Sequence, residues 1–250
     1  MNMKSRTPSK FHSTAGMTLV EMLIVGAIIC IVAGLLITAG SNAVRKSRIS
    51  TTIGSIALAK TAITDYLTPE SGANITIPLT EGANIPADGV AGANAGALGN
   101  AARLDDVLLA ARSIDKPFSF PLSSSVPIPG TNPVIWNVGA GRFTAAAAPD
   151  TDYSNTARLE CRPTAIAAAP SGGLGNFRID GVSNLPQGRR VVYAVLPNVN
   201  IDAALSLSRA LDKEPLSEVD ITTNDERGMV VYVAPTNGDT TTVYVYVGVY

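Results

Sequence analysis

A single carboxylate lies inside the most apolar stretch of the chain. Glu21 is the only charged residue between Met17 and Gly40, in the run MTLVEMLIVGAIICIVAGLLITAG. A charge at the centre of a helix in hydrocarbon costs roughly 2.5–3.5 kcal/mol on insertion scales. A chain that carries Glu21 there is therefore expected to pair it with another charge, inside a membrane or in a dry protein core.

Basic and small residues come just before this run. Residues 1–16 contain three basic residues and no acid, and they end in Ala15 and Gly16. An ordinary secretory signal has its cleavage site after a short apolar region. Here the small residues instead precede a run that would be roughly 36 Å long as a helix, enough to cross a membrane. Cleavage after Gly16 would release residues 1–16 and leave the apolar helix on the mature protein.

The order of Gly16, the segment Met17-Thr18-Leu19-Val20-Glu21 and the apolar run resembles the type III signal of the type IV pilin superfamily. The resemblance covers the leader and the N-terminal helix. It implies that a prepilin peptidase cuts after Gly16 and N-methylates Met17, where Phe is the commoner residue, and that the family's acid falls on Glu21. It also implies that the partners are other copies of the chain or related pilins in a filament, and an inner-membrane assembly platform.

Cleavage would supply Glu21 with a charged partner. The new α-amino group of Met17 lies four residues before Glu21. Two opposite charges about 4 Å apart attract by about 4 kcal/mol at an effective dielectric of about 20, which is similar to the cost of burying the carboxylate. An incoming subunit that offers this amine to a neighbour's Glu21 would set the axial register of packing. The alternative is that Glu21 reaches the membrane surface from its place near the start of the run.

Few other residues could support catalysis or metal binding. The only histidine, His12, lies in the leader, so the mature chain would lack histidine-based triads, general bases and metal ligands. Cys30 lies within the apolar run and Cys161 far beyond it, so a straight helix would keep the two from pairing within one subunit. Many pilins have a C-terminal disulfide loop, which this chain cannot form.

Acidic pairs are the remaining candidates for chemistry. Asp105-Asp106 or Asp225-Glu226 could serve a membrane-anchored enzyme, although nothing in the sequence brings an acid and a base together in space. Asp150, Asp152 and Ser154 have the alternate spacing that opens a calcium loop, but the Gly and the Glu of that loop are missing. We therefore expect no enzymatic activity, no cofactor and no metal.

Charge excludes one class of partner and leaves another open. Removing the three basic residues of the leader from the 19 in the chain leaves 16 against 20 acidic residues, which is not a nucleic-acid-binding balance. A basic cluster at Arg45, Lys46 and Arg48 follows the apolar run. It is either a solvated helix face at the level of the lipid headgroups or a contact with anionic lipid or an acidic neighbour.

One long helix must position Glu21. Residues 17–40 are apolar on all sides, which predicts a transmembrane or filament-core half of this helix. Residues 41–68 have an apolar stripe, which predicts an amphipathic half of the same helix. Pro69 should end it. The apolar stripe of the second half recurs at spacings of three, four and seven, with Lys60 at the missing step: Ile49, Ile53, Ile56, Ile63 and Leu67.

The rest of the chain divides by composition. Residues 69–188 predict a loop-rich variable region that contains three Gly-Ala-Asn triplets and a short helix at Leu104 to Ile114, with loops or edge strands from Phe118 to Trp136. Residues 189–250 predict an antiparallel β region. Its elements are strands at Arg189 to Leu196, Met229 to Ala234 and Thr241 to Val249, a helix at Ile201 to Leu211, and a hairpin turn at Asn237-Gly238.

These elements predict an α+β, pilin-like fold in which a long N-terminal helix packs on a C-terminal antiparallel sheet. Val and Tyr alternate in the last two strands. The expected arrangement puts Val on one face and a row of Tyr on the other: Tyr232, Tyr244, Tyr246 and Tyr250.

The leading hypothesis is a structural subunit of a type IV pilus or a related filament. Its single span would lie in the bacterial inner membrane with a periplasmic ectodomain, and the assembled filament would reach the cell surface. The alternative is a pseudopilin of a type II secretion system, which forms a short periplasmic piston. A second alternative, from another class, is a membrane-anchored binding module or enzyme.

Overall fold

The computed structural model describes residues 18–68, 77–80, 103–123, 134–137, 142–145, 155–164, 177–212, 222–235 and 238–250. The chain divides into two compact units, Met1–Val44 and Arg45–Tyr250, which are described separately below. Gly16, Met17, the Gly-Ala-Asn triplets and the Asp150–Ser154 segment lie outside the described residues, so the predictions made for them stay predictions.

Helix α1 spans Leu19–Leu67 and ends two residues before Pro69, as predicted. In the first unit its apolar side chains are open to the surroundings, from Leu19, which is 79% exposed, to Leu36, which is 65% exposed. This helix is long and apolar enough to cross a membrane, and none of its most apolar window is buried.

From Ile49 onward, one face of α1 is buried in the second unit. Ile56 and Ile63 lie in its core as the apolar stripe predicted. Lys60 is exposed, and the neighbouring Ala59 takes the buried place instead. Alanine can be buried there without the cost of desolvating a lysine charge.

Two helices and six strands accompany α1 among the described residues. They are α2 (Leu104–Ala110), β1 (Val134–Asn137), β2 (Arg142–Ala145), β3 (Arg158–Pro163), β4 (Arg190–Asn200), α3 (Ile201–Leu211), β5 (Val230–Tyr232) and β6 (Thr240–Val249). The strands β1 and β2 form a separate antiparallel pair, and the other four form one antiparallel sheet in the order β3-β4-β6-β5. The predicted α+β class is confirmed.

Local sequence placed several of these elements well. Helix α3 has the predicted bounds, and Asn200 caps it by accepting a hydrogen bond from the backbone N–H of Asp202 at 3.0 Å. Helix α2 is shorter than predicted and ends at Ala110, because Arg112 adopts a left-handed backbone with φ of 61°. The strand predicted from Arg189 to Leu196 continues to Asn200, past a register shift between Leu196 and Val199.

The two faces of the sheet bury different sets of side chains. One face, with Val192, Ala194 and Val245, packs against α1 and α3 in the main core. The other face, with Val191 and Tyr193, packs against the segment that begins at Phe177. Because strand side chains alternate between faces, β4 is buried on both sides, which suits its central place.

The predicted row of four tyrosines is wrong for two of them. Tyr244 and Tyr246 lie on the outer face beside Tyr193, whereas Tyr232 is fully buried on the core side and Tyr250 packs against the same core. In the antiparallel register, Tyr232 lies opposite Val243 and therefore shares its face. The alternation within each strand was visible in the sequence, but the register between strands was not.

Candidate functional site

The first candidate site is the start of α1, where Thr18 and Glu21 cap the helix reciprocally. Oε2 of Glu21 accepts hydrogen bonds from the backbone N–H of Thr18 at 2.8 Å and from its hydroxyl at 2.9 Å. The backbone N–H of Glu21 donates to Oγ1 of Thr18 at 3.3 Å. This is a capping box, which satisfies backbone donors that the first helical turn would otherwise leave unpaired.

The capping box gives Glu21 a second role that the sequence analysis missed. Its signal was present, because Thr and Glu three residues apart before an apolar run form the capping-box pattern. Only Oε2 is used in the cap. Among the residues that the structure describes, Oε1 has no hydrogen-bond partner, so the carboxylate has room for a further donor. Gly16 and Met17 lie outside the described residues, so the pairing of Glu21 with an amine stays a prediction.

The second notable feature of this region is an apolar surface that no other residue described in the structure covers. Every large apolar side chain described between Leu19 and Leu36 is exposed, and each is at least 46% accessible. Soluble monomers rarely leave such a continuous apolar surface in contact with water. By length and composition, this half of α1 is therefore suited to hydrocarbon or to packing against other helices.

The acidic pairs named in the sequence lie in the second unit, and one of their four residues, Asp105, binds the edge of the sheet through its carboxylate. At the β3 edge, Asp105 accepts a hydrogen bond from the backbone N–H of Leu159 at 3.0 Å through Oδ2 and one from Phe118 at 3.1 Å through Oδ1. Burial raises the pKa of Asp105, and the two backbone donors and the nearby Arg103 guanidinium oppose this rise. Both oxygens of this carboxylate are thus committed to structure.

Asp106 does not act together with Asp105. Its carboxylate forms an ion pair with Arg103 at 2.7 Å, and both side chains are almost fully buried. A buried pair of this kind costs desolvation energy and is kept by close geometry, and removing one partner leaves an uncompensated charge. The adjacent acids therefore have different partners and form no acid–base pair.

The opposite edge of the sheet, at β5, is closed by Asp212 at the end of α3. This carboxylate accepts hydrogen bonds from the backbone N–H groups of Met229 and, at 3.1 Å, of Val230. Gly228 has a φ of 86°, and a Cβ atom there would clash with the Asp212 carboxylate, so this position requires glycine. Asp212 could not be singled out from the sequence, because its partners lie across an intervening segment.

Asp225 lies next to Asp212 in a small acidic cluster. The hydroxyl of Ser208 donates to Oδ2 of Asp225 at 2.8 Å and lies 3.4 Å from Oδ2 of Asp212. Burial raises the pKa of Asp212 to about 6, and the charge of Asp225 acts in the same direction against the two backbone donors. Glu226 is exposed and does not join the cluster. The pair Asp225-Glu226 is therefore not brought together as an acid and a base.

The outer face of β3 carries a satisfied charge cluster. Glu160 is 3% exposed and forms ion pairs with Arg158 at 2.5 Å and with Arg162 at 3.1 Å. It also accepts a hydrogen bond from the hydroxyl of Tyr193 at 2.9 Å. Three partners occupy this carboxylate, so it stabilises the strand and is a poor candidate for a general base.

Both cysteines of the chain are free thiols, as expected. Burial raises the pKa of Cys161 to about 12, so this thiol is chemically inert in the folded state. No group of three or more metal-ligating side chains occurs among the described residues. Within that part of the chain, the features that could act in assembly are Glu21 and the apolar surface of α1.

No family model, no curated protein and no solved structure matches this chain.

Proposed function

We propose that this protein is the structural subunit of a type IV pilus or a related helical filament. In this proposal a prepilin peptidase cuts after Gly16, and an inner-membrane platform then draws the chain from the membrane into the filament. Copies of α1 bury their apolar halves against one another, and the second units cover the outside. Glu21 receives the amine of a neighbour's Met17 and fixes the axial register.

The observation that carries the proposal is the contrast between the two units. The second unit has its own buried core and a sheet whose edges are closed. The apolar half of α1 has no cover at all among the described residues. A domain with its own core, joined to a helix whose apolar surface is exposed, suits a subunit that is held in a bilayer first. Its helix would later leave the lipid and pack against other helices.

The geometry of Glu21 supports the same mechanism. The capping box uses one carboxylate oxygen and leaves the other without a described partner. Because one oxygen of the carboxylate is already hydrogen-bonded by its own helix, placing the charge in an apolar environment before assembly costs less free energy. The remaining oxygen can then accept a charge-assisted hydrogen bond from an incoming amine, which is about twice as strong as a neutral one.

The test is mass spectrometry of the N-terminus of the protein purified from its native cell. We expect the chain to begin at Met17 and to carry one methyl group on its amine. A mature protein that still begins at Met1, or one cut at a different place, would remove the processing step on which the filament model depends. Co-expression with a prepilin peptidase in a cell that lacks one supplies the matched control.

A pseudopilin of a type II secretion system is the second candidate, and one observation favours it. Cys161 is free and buried, and the C-terminal region is held by the Asp212 and Asp225 contacts where many pilins use a disulfide. Immunogold labelling of intact cells separates the two candidates. Surface fibres that carry the label favour a pilus, and label confined to the periplasm together with a loss of secretion on deletion favours a pseudopilin.

A further inference from the structure

A groove runs between α1 and α3 in the second unit. Its volume is about 360 Å³, within the size range of small-ligand sites. Its α1 wall repeats at helical spacing, with apolar side chains at Ile49 and Ile53 and a hydroxyl at Ser50. Ser206 and Ala210 form the α3 wall, and their small side chains leave the space between the helices open.

The groove is basic at the end from which α1 enters the unit. Arg45 and Lys46 line that end, and both are exposed. Neither forms an ion pair with any residue that the structure describes. Arg48, the third basic residue of the cluster, does not line the groove. The groove thus combines two cations, Arg45 and Lys46, with the apolar side chains of Ile49 and Ile53, and its lining contains no acidic side chain.

We propose that this groove binds the headgroup of an anionic phospholipid. Arg45 and Lys46 would hold the phosphate, Ser50 would donate to a phosphate or glycerol oxygen, and Ile49 and Ile53 would contact the apolar part of the lipid next to the headgroup. Guanidinium and ammonium groups are the usual side-chain partners of phosphate.

The chain position of the groove favours a lipid over an acidic segment of a neighbouring protein. Arg45 follows Gly40, the last residue of the apolar run, by five residues, so the basic pair comes where a chain leaves the hydrocarbon. A lipid is also an amphiphile, and it matches both the cationic end and the apolar floor. An acidic side chain would match the cations alone. The proposal rests on the membrane span of α1 and needs no filament.

The test uses the full-length chain, purified in detergent and studied by native mass spectrometry. Phosphatidylglycerol and phosphatidylcholine with identical acyl chains are the probes. We expect wild type to bind phosphatidylglycerol more tightly and the double variant Arg45→Gln/Lys46→Gln to bind it about 25-fold more weakly, which corresponds to about 1 kcal/mol for each basic residue. Arg48→Gln removes one charge from the same cluster outside the groove, and it should change the affinity by less than either single groove variant.

A second pair of variants tests the groove without changing charge. Ala210→Trp fills the groove and should abolish the preference for phosphatidylglycerol. Ala57→Trp makes the same substitution at an exposed alanine of α1 that does not line the groove, and it should leave the preference intact. Free glycerol phosphate should not displace the lipid at equal concentration, because it lacks the apolar part that contacts Ile49 and Ile53.

Four results would overturn the inference. The first is equal binding of the two lipids by wild type, and the second is an equal effect of the two tryptophan substitutions. The third is a groove variant that loses association between copies of the chain while it keeps lipid binding, which would assign the groove to an acidic neighbour. The fourth is a chain that does not float with lipid vesicles, which would show that α1 does not anchor it in a membrane. Flotation therefore separates a failure of the membrane span from the third result, and the inference fails if the span fails.

Discussion

Glu21 combines two interactions that different substitutions can separate. It caps the first turn of α1 together with Thr18, and its second oxygen is proposed to receive an amine from a neighbouring copy. Glutamine can replace glutamate in a capping box, because its amide oxygen still accepts from the N-terminal N–H group. Valine can neither cap the helix nor pair with an amine.

We therefore predict that Glu21→Gln and Glu21→Val both permit cleavage after Gly16 and both block filament assembly. The reason is that each removes the charge. Electron microscopy of sheared filaments and the electrophoretic shift on cleavage measure the two steps. Thr18→Ala is the matched control: it weakens the cap by about 1 kcal/mol but keeps the carboxylate, so filaments should still form. Normal filaments from Glu21→Gln would show that only the cap matters.

Asp212 should make stability depend on pH. Burial raises its pKa from 3.8 to about 6, so between these values the folded state binds more protons than the unfolded state, and stability falls as pH rises through this window. After allowance for partial exposure, the loss between pH 4 and pH 6.5 is about 1 kcal/mol. Urea unfolding of wild type and of Asp212→Asn measures it, and the slope should be smaller in the variant.

Asp180 provides the control for this prediction. It is exposed, and hydrogen bonds from Ser183 and Val182 lower its pKa to about 2. Asp180→Asn should therefore leave the slope between pH 5 and pH 6.5 unchanged, because the folded pKa and the ordinary value of 3.8 both lie below that window. Burial also raises the pKa of Asp105, so some slope should remain in Asp212→Asn. A variant Asp212→Asn with the full wild-type slope would contradict the assignment.

Among the described residues, carboxylates accept backbone hydrogen bonds at both edges of the sheet, and at the β5 edge the backbone of Asp225 also pairs with Tyr232. Asp105 accepts from the backbone of β3 and Asp212 from the backbone of β5. Thr80 completes the β3 edge, because it donates to the carbonyl of Cys161 and accepts from its N–H. Open edges invite pairing between copies. A chain that polymerises through its helix, as proposed here, would have to avoid polymerising through its sheet as well.

We predict that Asp105→Ala destabilises the second unit by about 3 kcal/mol, because it leaves two buried backbone donors without an acceptor. It should also promote aggregation through the opened β3 edge. Chemical denaturation and light scattering measure the two effects. Asp202→Ala, at an exposed place in the first turn of α3, is the matched control and should cost less than about 1 kcal/mol. Equal stabilities of the two variants would show that the edge contact contributes nothing.

The division into two units has a consequence for the whole molecule. The second unit has a continuous core formed by α1, α2, α3 and the sheet, and it needs nothing from the apolar half of α1 to complete it. Membrane attachment and folding should therefore be separable properties of the chain.

We predict that a fragment of residues 41–250 is folded and monomeric and does not float with neutral vesicles. Its single thiol, Cys161, reports on the fold, because it is buried and its pKa is raised to about 12. An aromatic disulfide reagent should react with it only after denaturant is added. Immediate reaction without denaturant would show that the core depends on the missing helix. Turnover of a small substrate by this fragment would revive the enzyme hypothesis.

The sequence by itself determined what depends on neighbouring residues. The end of α1 before Pro69, the bounds of α3 and the buried stripe from Ile49 to Leu67 follow from periodicity and local stop signals. The membrane-length run and its single acid could likewise be read directly, and the capping box of Thr18 and Glu21 could have been.

Only the tertiary structure decided what depends on partners distant in the chain. Strand β3 lies in the region predicted to be loop-rich. It becomes an edge strand of the sheet because one side pairs with β4. On its other side, Leu159 donates to Asp105, which lies 54 residues earlier in the chain. The face of Tyr232, the pairing of Asp212 with Val230 and the groove beside Arg45 were equally hidden. Periodicity fixes which side chains share a face, but register and packing between distant segments decide what that face meets.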